Sequence, residues 1–149
     1  MLKLIEIRAL VKLKNETLCK RLQKGQSSKT RQFIAVLEDV EVGLLIYENW
    51  GRPEGFIYEI FVLQANRKSG IGTWILSQAE LFAAQLGHTS VKLTARSLFQ
   101  DELSDENLTE WYESKGYVRS TVERGVLEKV ILHQNIGMEN LNGKGTSQS

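Results

Sequence analysis

The sequence predicts a single α/β (α+β) domain: a mixed, mostly antiparallel central sheet of about seven strands flanked by helices. Two observations carry this prediction. Short β-rich runs and helical patterns follow one another in the order β-α-β-β-β-α-β-α-β-β, and several neighbouring strand runs are joined by turns short enough for antiparallel hairpins. The length of 149 residues suits one domain with a real core. That domain is expected over residues 1–136, with a flexible, polar, glycine-rich tail over 137–149.

The elements follow from local chemistry. Leu2 to Arg8 (LKLIEIR) alternates apolar and charged side chains, as a strand with one wet face does. Asn15 then stands as an N-cap and Gly25 as a stop around a short helix whose buried stripe is Leu18 and Leu22, with Cys19 beside them. Phe33 to Leu37 and Val42 to Tyr47 form a hairpin that turns at Glu38 to Glu41. The loop NWGRPEG holds the only proline, Pro53. Phe56 to Leu63 (FIYEIFVL) is dense in aromatic and β-branched residues and reads as a central strand buried on both faces. Ile71, Ile75, Ala79, Phe82 or Ala83, and Leu86 recur at helical spacing, and Gly87 ends that helix. Ser90 to Ala95 is the next strand; it and the strand before the helix are expected to run parallel. The segment SDENLTEWYESKG opens on Ser104 or Asp105 as cap, carries acids in its first turn and ends at Gly116. A last hairpin turns at Arg124-Gly125.

Bulk composition narrows the function classes. Apolar residues make up 42% and charged residues 25%, with a formal net charge of +1. No global field recruits nucleic acid or a membrane, so electrostatic recognition must be local. The single cysteine, Cys19, excludes an internal disulfide and any multi-cysteine metal site. His88 and His133 are too few and too far apart to suggest zinc, so no metal is expected. No apolar run reaches the roughly 20 residues of a membrane span. The N-terminal stretch lacks the continuous apolar core of a secretion signal, which points to a cytoplasmic protein.

One stretch carries chemistry. In NRKSGIGTWIL, Asn66 to Leu76, a basic, glycine-rich turn runs directly into a helix. The first N–H groups of a helix have no intrahelical partner, and the helix dipole adds partial positive charge there, so the turn suits a phosphate or pyrophosphate. The absence of Cβ at Gly70 and Gly72 lets oxygens approach the backbone, and Arg67 and Lys68 place full charges at the rim. Thr73-Trp74 stands where a P-loop needs Lys-Ser/Thr. Ile75 stands where the dinucleotide fingerprint needs its third glycine.

Together with LTEWYESKGYV some forty residues on, the segment FIYEIFVLQANRKSGIGTWIL resembles the GNAT superfamily of acyl-CoA-dependent N-acyltransferases. The resemblance covers roughly Phe33 to Leu132. It implies that Arg67, Lys68, Ser69, Gly70, Ile71 and Gly72 cradle the pyrophosphate of coenzyme A, chiefly through backbone N–H groups. It also implies that Val62 and Leu63 lie where the family's strand splays open to take the pantetheine arm, the Val62 N–H stabilising charge on the thioester oxygen. Tyr112 falls on the family's general acid, the group that protonates the departing thiolate and lies against the cofactor. Asp105 stands where many members carry an Asn that contacts the cofactor. The resemblance further implies acetyl-CoA as co-substrate, no metal, and a primary amine on a small molecule or peptide as acceptor.

Glu59 is the one acid in its strand, and three readings of it stay open: base, amine-binding acid, or member of an ion pair. Several relatives carry the base at the position of Tyr58, which could hold a water, and more often hold at Glu59 an acid that binds a cationic substrate; strand alternation would send the two side chains to opposite faces. Trp50 and Arg52 are candidate walls of the acceptor site. Glu102, Asp105 and Glu106 form an acidic patch near Tyr112, either an attractor of cations or a solvated helix start. The rival to catalysis is a module of the same fold that holds CoA without turnover or serves as a dimeric interaction domain. The sequence does not set the oligomeric state, and an exposed edge at the closing hairpin is compatible with a homodimer.

Overall fold

The computed structural model describes residues 1–8, 13–99 and 102–131. The tail predicted over 137–149 lies outside the described residues, as do His133 and Leu132. Along the chain come β1 (Leu2–Ile7), α1 (Glu16–Lys24), β2 (Thr30–Leu37), β3 (Val40–Glu48) and β4 (Glu54–Val62). A 3₁₀ turn (Gln64–Asn66) leads to α2 (Ile71–Gln85), followed by β5 (Ser90–Thr94), α3 (Asp105–Ser114), β6 (Val118–Arg119) and β7 (Val126–Val130). The strands make one seven-stranded sheet in the order β1-β2-β3-β4-β5-β7-β6. Every neighbouring pair is antiparallel except β4 and β5, which run parallel across the α2 crossover. This is the mixed, mostly antiparallel architecture that the sequence predicts.

Local signals set the element ends. The Asn15 side chain accepts from the Leu18 N–H and caps α1, while Glu41 accepts from the Asn15 N–H at 2.6 Å and ties the helix start to β3. Glu38 and Asp39 both adopt positive φ, which twists the β2–β3 turn to match its strands. The two candidate caps of α3 divide the work: Ser104 accepts from the Asn107 N–H, and Asp105 reaches back to accept from the Ser97 N–H at 2.7 Å.

Two apolar clusters hold the layers. Leu18 and Leu22 of α1 pack on Ile34, Leu44, Ile46 and Phe61 on one face of the sheet. Burying each leucine contributes about 1.5–3 kcal/mol. On the other face, Ile71, Ile75, Leu76, Ala79 and Ala83 of α2 meet Leu45, Tyr47, Ile57, Val62 and Leu93, and Tyr112 and Tyr117 join that cluster. Among the described residues, no helix is long and apolar enough to cross a membrane.

One expectation is corrected. β4 is not buried on both faces along its length: Tyr58 is 55% exposed, and Glu59 and Ile60 are half-buried. The reason is pairing, since β5 accompanies β4 only from Glu54 to Ile57 and leaves the rest of that edge open.

Where the two strands are still paired, the interior is rigid and polar. The buried Tyr47 hydroxyl lies 2.6 Å from His88 Nδ1, and His88 Nε2 lies 3.3 Å from Asn49 Oδ1. Gly55 is required beside them, because a Cβ there would stand 1.8 Å from the Tyr47 oxygen. Burial pushes the His88 imidazole below its ordinary pKa of 6.5, against the opposing charge of Glu54. The unfolded chain therefore binds this proton more readily than the folded one. Stability from the neutral ring is complete above the unfolded value and is lost as pH falls through the lower folded value. Thermal denaturation is expected to give a Tm that drops between about pH 7 and pH 5, with a flatter slope in His88→Gln.

Candidate functional site

Beyond Ile57 and Leu93 the parallel strands part. Leu63 donates to the Val42 carbonyl at 2.9 Å, which fixes the hydrogen-bonding parity of the β3–β4 ladder. Val62, opposite Gly43, thus turns its N–H and C=O away from β3 and toward the opening. The opening widens into a cleft of about 910 Å³. Val62 and Tyr112 line it from the α2 side of the sheet, and Tyr58, Glu59 and Arg21 line it from the α1 side.

The turn after β4 is shaped for an anion. Lys68 and Gly70 both adopt positive φ, and Gly70 caps α2 without a side chain. The N–H groups of Lys68 through Thr73 meet no acceptor among the described residues, whereas the Arg67 N–H is used within the 3₁₀ turn. Around Gly72 the space is open: an added Cβ would meet only Val62 Cγ2, at 4.0 Å. Arg67 departs from the rim position that its place in the sequence suggests. Its Nε donates to the Val62 carbonyl at 2.9 Å, its guanidinium lies 3.2 Å from the Phe99 ring centroid, and it pairs with Glu102 at 3.3 Å. It braces the turn, whereas Lys68 makes no ion pair with any described residue.

Tyr112 is buried among aromatics, 4.9 Å from Trp111 and 5.6 Å from Tyr117 between ring centroids, and it also lines the cleft. Its hydroxyl has no hydrogen-bond partner among the described residues, although a buried phenol ordinarily finds one. Burial pushes its pKa up to about 12, so it holds its proton across the neutral range.

Glu59 and Tyr58 do not take opposite faces. The β3–β4 register shifts between Ile46 and Tyr47, which leaves Tyr58 as the extra residue of a β-bulge. Both side chains therefore face α1. A Cβ at Gly25 would come within 3.3 Å of the Tyr58 ring, and Glu59 Oε2 lies 2.5 Å from Arg21 Nε. The Arg21 guanidinium also sits 4.4 Å from the Phe61 centroid. An ion pair, one of the three readings open to Glu59, is present, and the same residue lines the cleft.

The remaining candidates fall away from the cleft or into its frame. Trp50 and Arg52 do not line it; their loop belongs to the end of β4 where the strands are still paired. The acidic patch is engaged internally: Glu102 with Arg67, Asp105 with the Ser97 N–H, Glu106 with Arg119 at 2.6 Å. Sequence reasoning missed the cleft wall formed by Lys20, Arg21 and Lys24 of α1. Its signal was the basic face opposite Leu18 and Leu22 in ETLCKRLQK.

A family model described as an acetyltransferase (GNAT) domain matches residues 28–119. The fold is similar to a GNAT family acetyltransferase from Elizabethkingia anophelis solved with acetyl-CoA bound, at TM-score 0.63 and 13% identity over 87% of this chain and 97% of that one. It is also similar to the PaiA N-acetyltransferase from Thermoplasma acidophilum in complex with coenzyme A, at TM-score 0.56 and 13% identity over 76% and 67% of the two chains. A chain of the KacTA–DNA complex matches at TM-score 0.67 and 12% identity over 88% and 94%. At these identities the likeness shows the fold. A comparison with curated proteins returns no match.

The Arg21–Glu59 pair is only partly solvated, with Glu59 13% and Arg21 32% exposed. Arg21→Ala is expected to lower stability by about 1–2 kcal/mol, because it strands a carboxylate and uncovers Phe61. In a denaturant-unfolding cycle, Glu59→Gln should cost less, and the double variant should cost less than the sum of the two single losses.

Proposed function

Because the chain belongs to the GNAT acetyltransferase domain family, we propose that it is an N-acetyltransferase that moves an acetyl group from acetyl-CoA to a primary amine by direct attack in a ternary complex. The observation that carries this reading is the alignment of unused donors along one cleft. Free N–H groups from Lys68 to Thr73 lie at one end, the inward-turned N–H of Val62 follows, and the unpartnered hydroxyl of Tyr112 lines the same space. The open space at Gly72 fits a phosphate against backbone.

Acetyl-CoA supplies an activated acyl group: the amine nitrogen bonds to the carbonyl carbon, the C–S bond breaks, and an amide and a thiol result. The turn from Lys68 to Gly72 holds the diphosphate through backbone N–H groups and the Lys68 charge. The Val62 N–H points into the opening where the thioester oxygen gains negative charge, and it stabilises that charge. Tyr112 holds its proton until the sulfur departs and then donates it. Glu59, with Tyr58 positioning a water, takes the proton that the amine loses. Cys19 lies on α1 and does not line the cleft, which favours direct transfer over an acyl-enzyme.

A second reading has its own support. The Glu59 carboxylate is already engaged by Arg21, and a module that holds CoA without turnover needs no base. Release of free thiol on incubation with acetyl-CoA and an amine panel distinguishes the two: release supports the enzyme, and bound CoA with no release supports the module.

Two variants probe the assignments. Tyr112→Phe is expected to lower kcat about a hundredfold while acetyl-CoA affinity stays near its original value; an unchanged kcat removes Tyr112 from the reaction. Gly72→Ala is expected to raise the KM for acetyl-CoA about tenfold without lowering Tm, since its methyl would touch only Val62 Cγ2, at 4.0 Å, but would meet a bound phosphate.

A further inference from the structure

We propose that the acceptor is a small amine carrying its own anionic group, a carboxylate or a phosphate, and that Lys20 and Lys24 of α1 recognise that group. The inference rests on the acyl-transfer reading and names the substrate class of the same cleft.

Helix geometry separates the two jobs of α1. Leu18 and Leu22 are buried against the sheet, and Lys20, Arg21 and Lys24, three and four residues apart, line the cleft. Arg21 is committed to Glu59 and Phe61. Lys20 and Lys24 are exposed and make no ion pair with any described residue. A lysine in the last helical turn is favoured by the helix dipole, which accounts in part for Lys24 but little for Lys20, a turn earlier.

Position decides what the two charges face. The C-terminal end of α1 lies against Tyr58, as the close approach of Gly25 to that ring shows. Tyr58 stands four strand residues from Val62, roughly 13 Å along β4. The diphosphate has its own donors beyond Val62, in the turn that contains Lys68 and Gly72. The two lysines therefore flank the end of the cleft at which the acceptor enters. Of the carboxylates that line the cleft, Glu59 is paired with Arg21 and Glu102 with Arg67, while Glu48 makes no ion pair with a described residue. A polyamine would bring its second cation against two unpaired ammonium groups, whereas an acid separated from the amine by a short carbon chain would be held by them.

The test compares matched acceptors on the full chain: 4-aminobutyrate with 4-aminobutanamide, and phosphoethanolamine with ethanolamine, following thiol release from acetyl-CoA. The readout is the ratio of kcat/KM for the anionic member to that for the neutral member, in the wild type and in the Lys20→Gln, Lys24→Gln double variant. Intrinsic amine reactivity cancels when the two proteins are compared. The ratio is expected to fall by about tenfold to a hundredfold in the double variant, and to be retained in Lys20→Arg, Lys24→Arg. The pair whose ratio falls identifies carboxylate or phosphate as the recognised group. A ratio that does not change, with both members acetylated, overturns the inference and leaves acyl transfer standing. A rise in the acetyl-CoA KM with an unchanged ratio assigns the lysines to the cofactor's phosphates and also overturns it. Binding of CoA with no thiol release for any amine overturns the inference together with the enzymatic reading.

Discussion

The parting of β4 and β5 is the constraint on which the rest of the site depends. Four residues of β4 pair with β5, and from Tyr58 onward the strand keeps only its β3 neighbour. An edge that opens inside a sheet leaves backbone donors and acceptors without partners, a costly arrangement unless something fills it. Both flanks hold the opening in place. Arg67 closes over the Val62 carbonyl on one side, and Asp105 fastens the segment after β5 through the Ser97 N–H on the other. The edge left by β5 is thus a built feature, and it faces the cleft of about 910 Å³.

Two arginines support that edge from the α1 side. Arg21 and Arg67 both lie over Phe61, at 4.4 and 5.7 Å from its centroid, and each carries a carboxylate partner from a distant part of the chain. Their charges are largely used in holding α1, β4 and the segment before α3 together. Among the described residues, the cleft-lining cations left without an ion pair fall into three places: Lys68 at the glycine turn, Lys20 and Lys24 along α1, and Arg96 after β5. A chain with a net charge of only +1 thereby presents a locally positive cleft.

Against this open half stands a closed one. Tyr47, His88 and Gly55 interlock where β4 and β5 remain paired, with no room for a single added methyl at Gly55. Burial keeps both Tyr47 and His88 in their neutral forms at neutral pH. The contrast gives the sheet a rigid half that fixes strand register and an open half whose backbone is available for recognition.

Much of this was legible in the chain itself, because it depends on neighbours in sequence. The caps at Asn15 and Ser104, the stops at Gly25, Gly87 and Gly116, the Glu38–Asp39 turn and the α2 stripe are set by local hydrogen bonds and by side-chain period. The element order followed from them, and so did the glycine turn poised at a helix start. Other features were decided only by tertiary contact. The bulge at Tyr58 reversed the alternation that would have parted it from Glu59, since a register shift belongs to a pair of strands and not to one. Arg67 turned inward because Phe99 and Glu102 arrive beside it from more than thirty residues away. Glu59 found Arg21, 38 positions earlier, and that pairing set which cations of α1 remained free. Periodicity encodes which face a side chain takes within its own element; what waits on that face is fixed only when the elements meet.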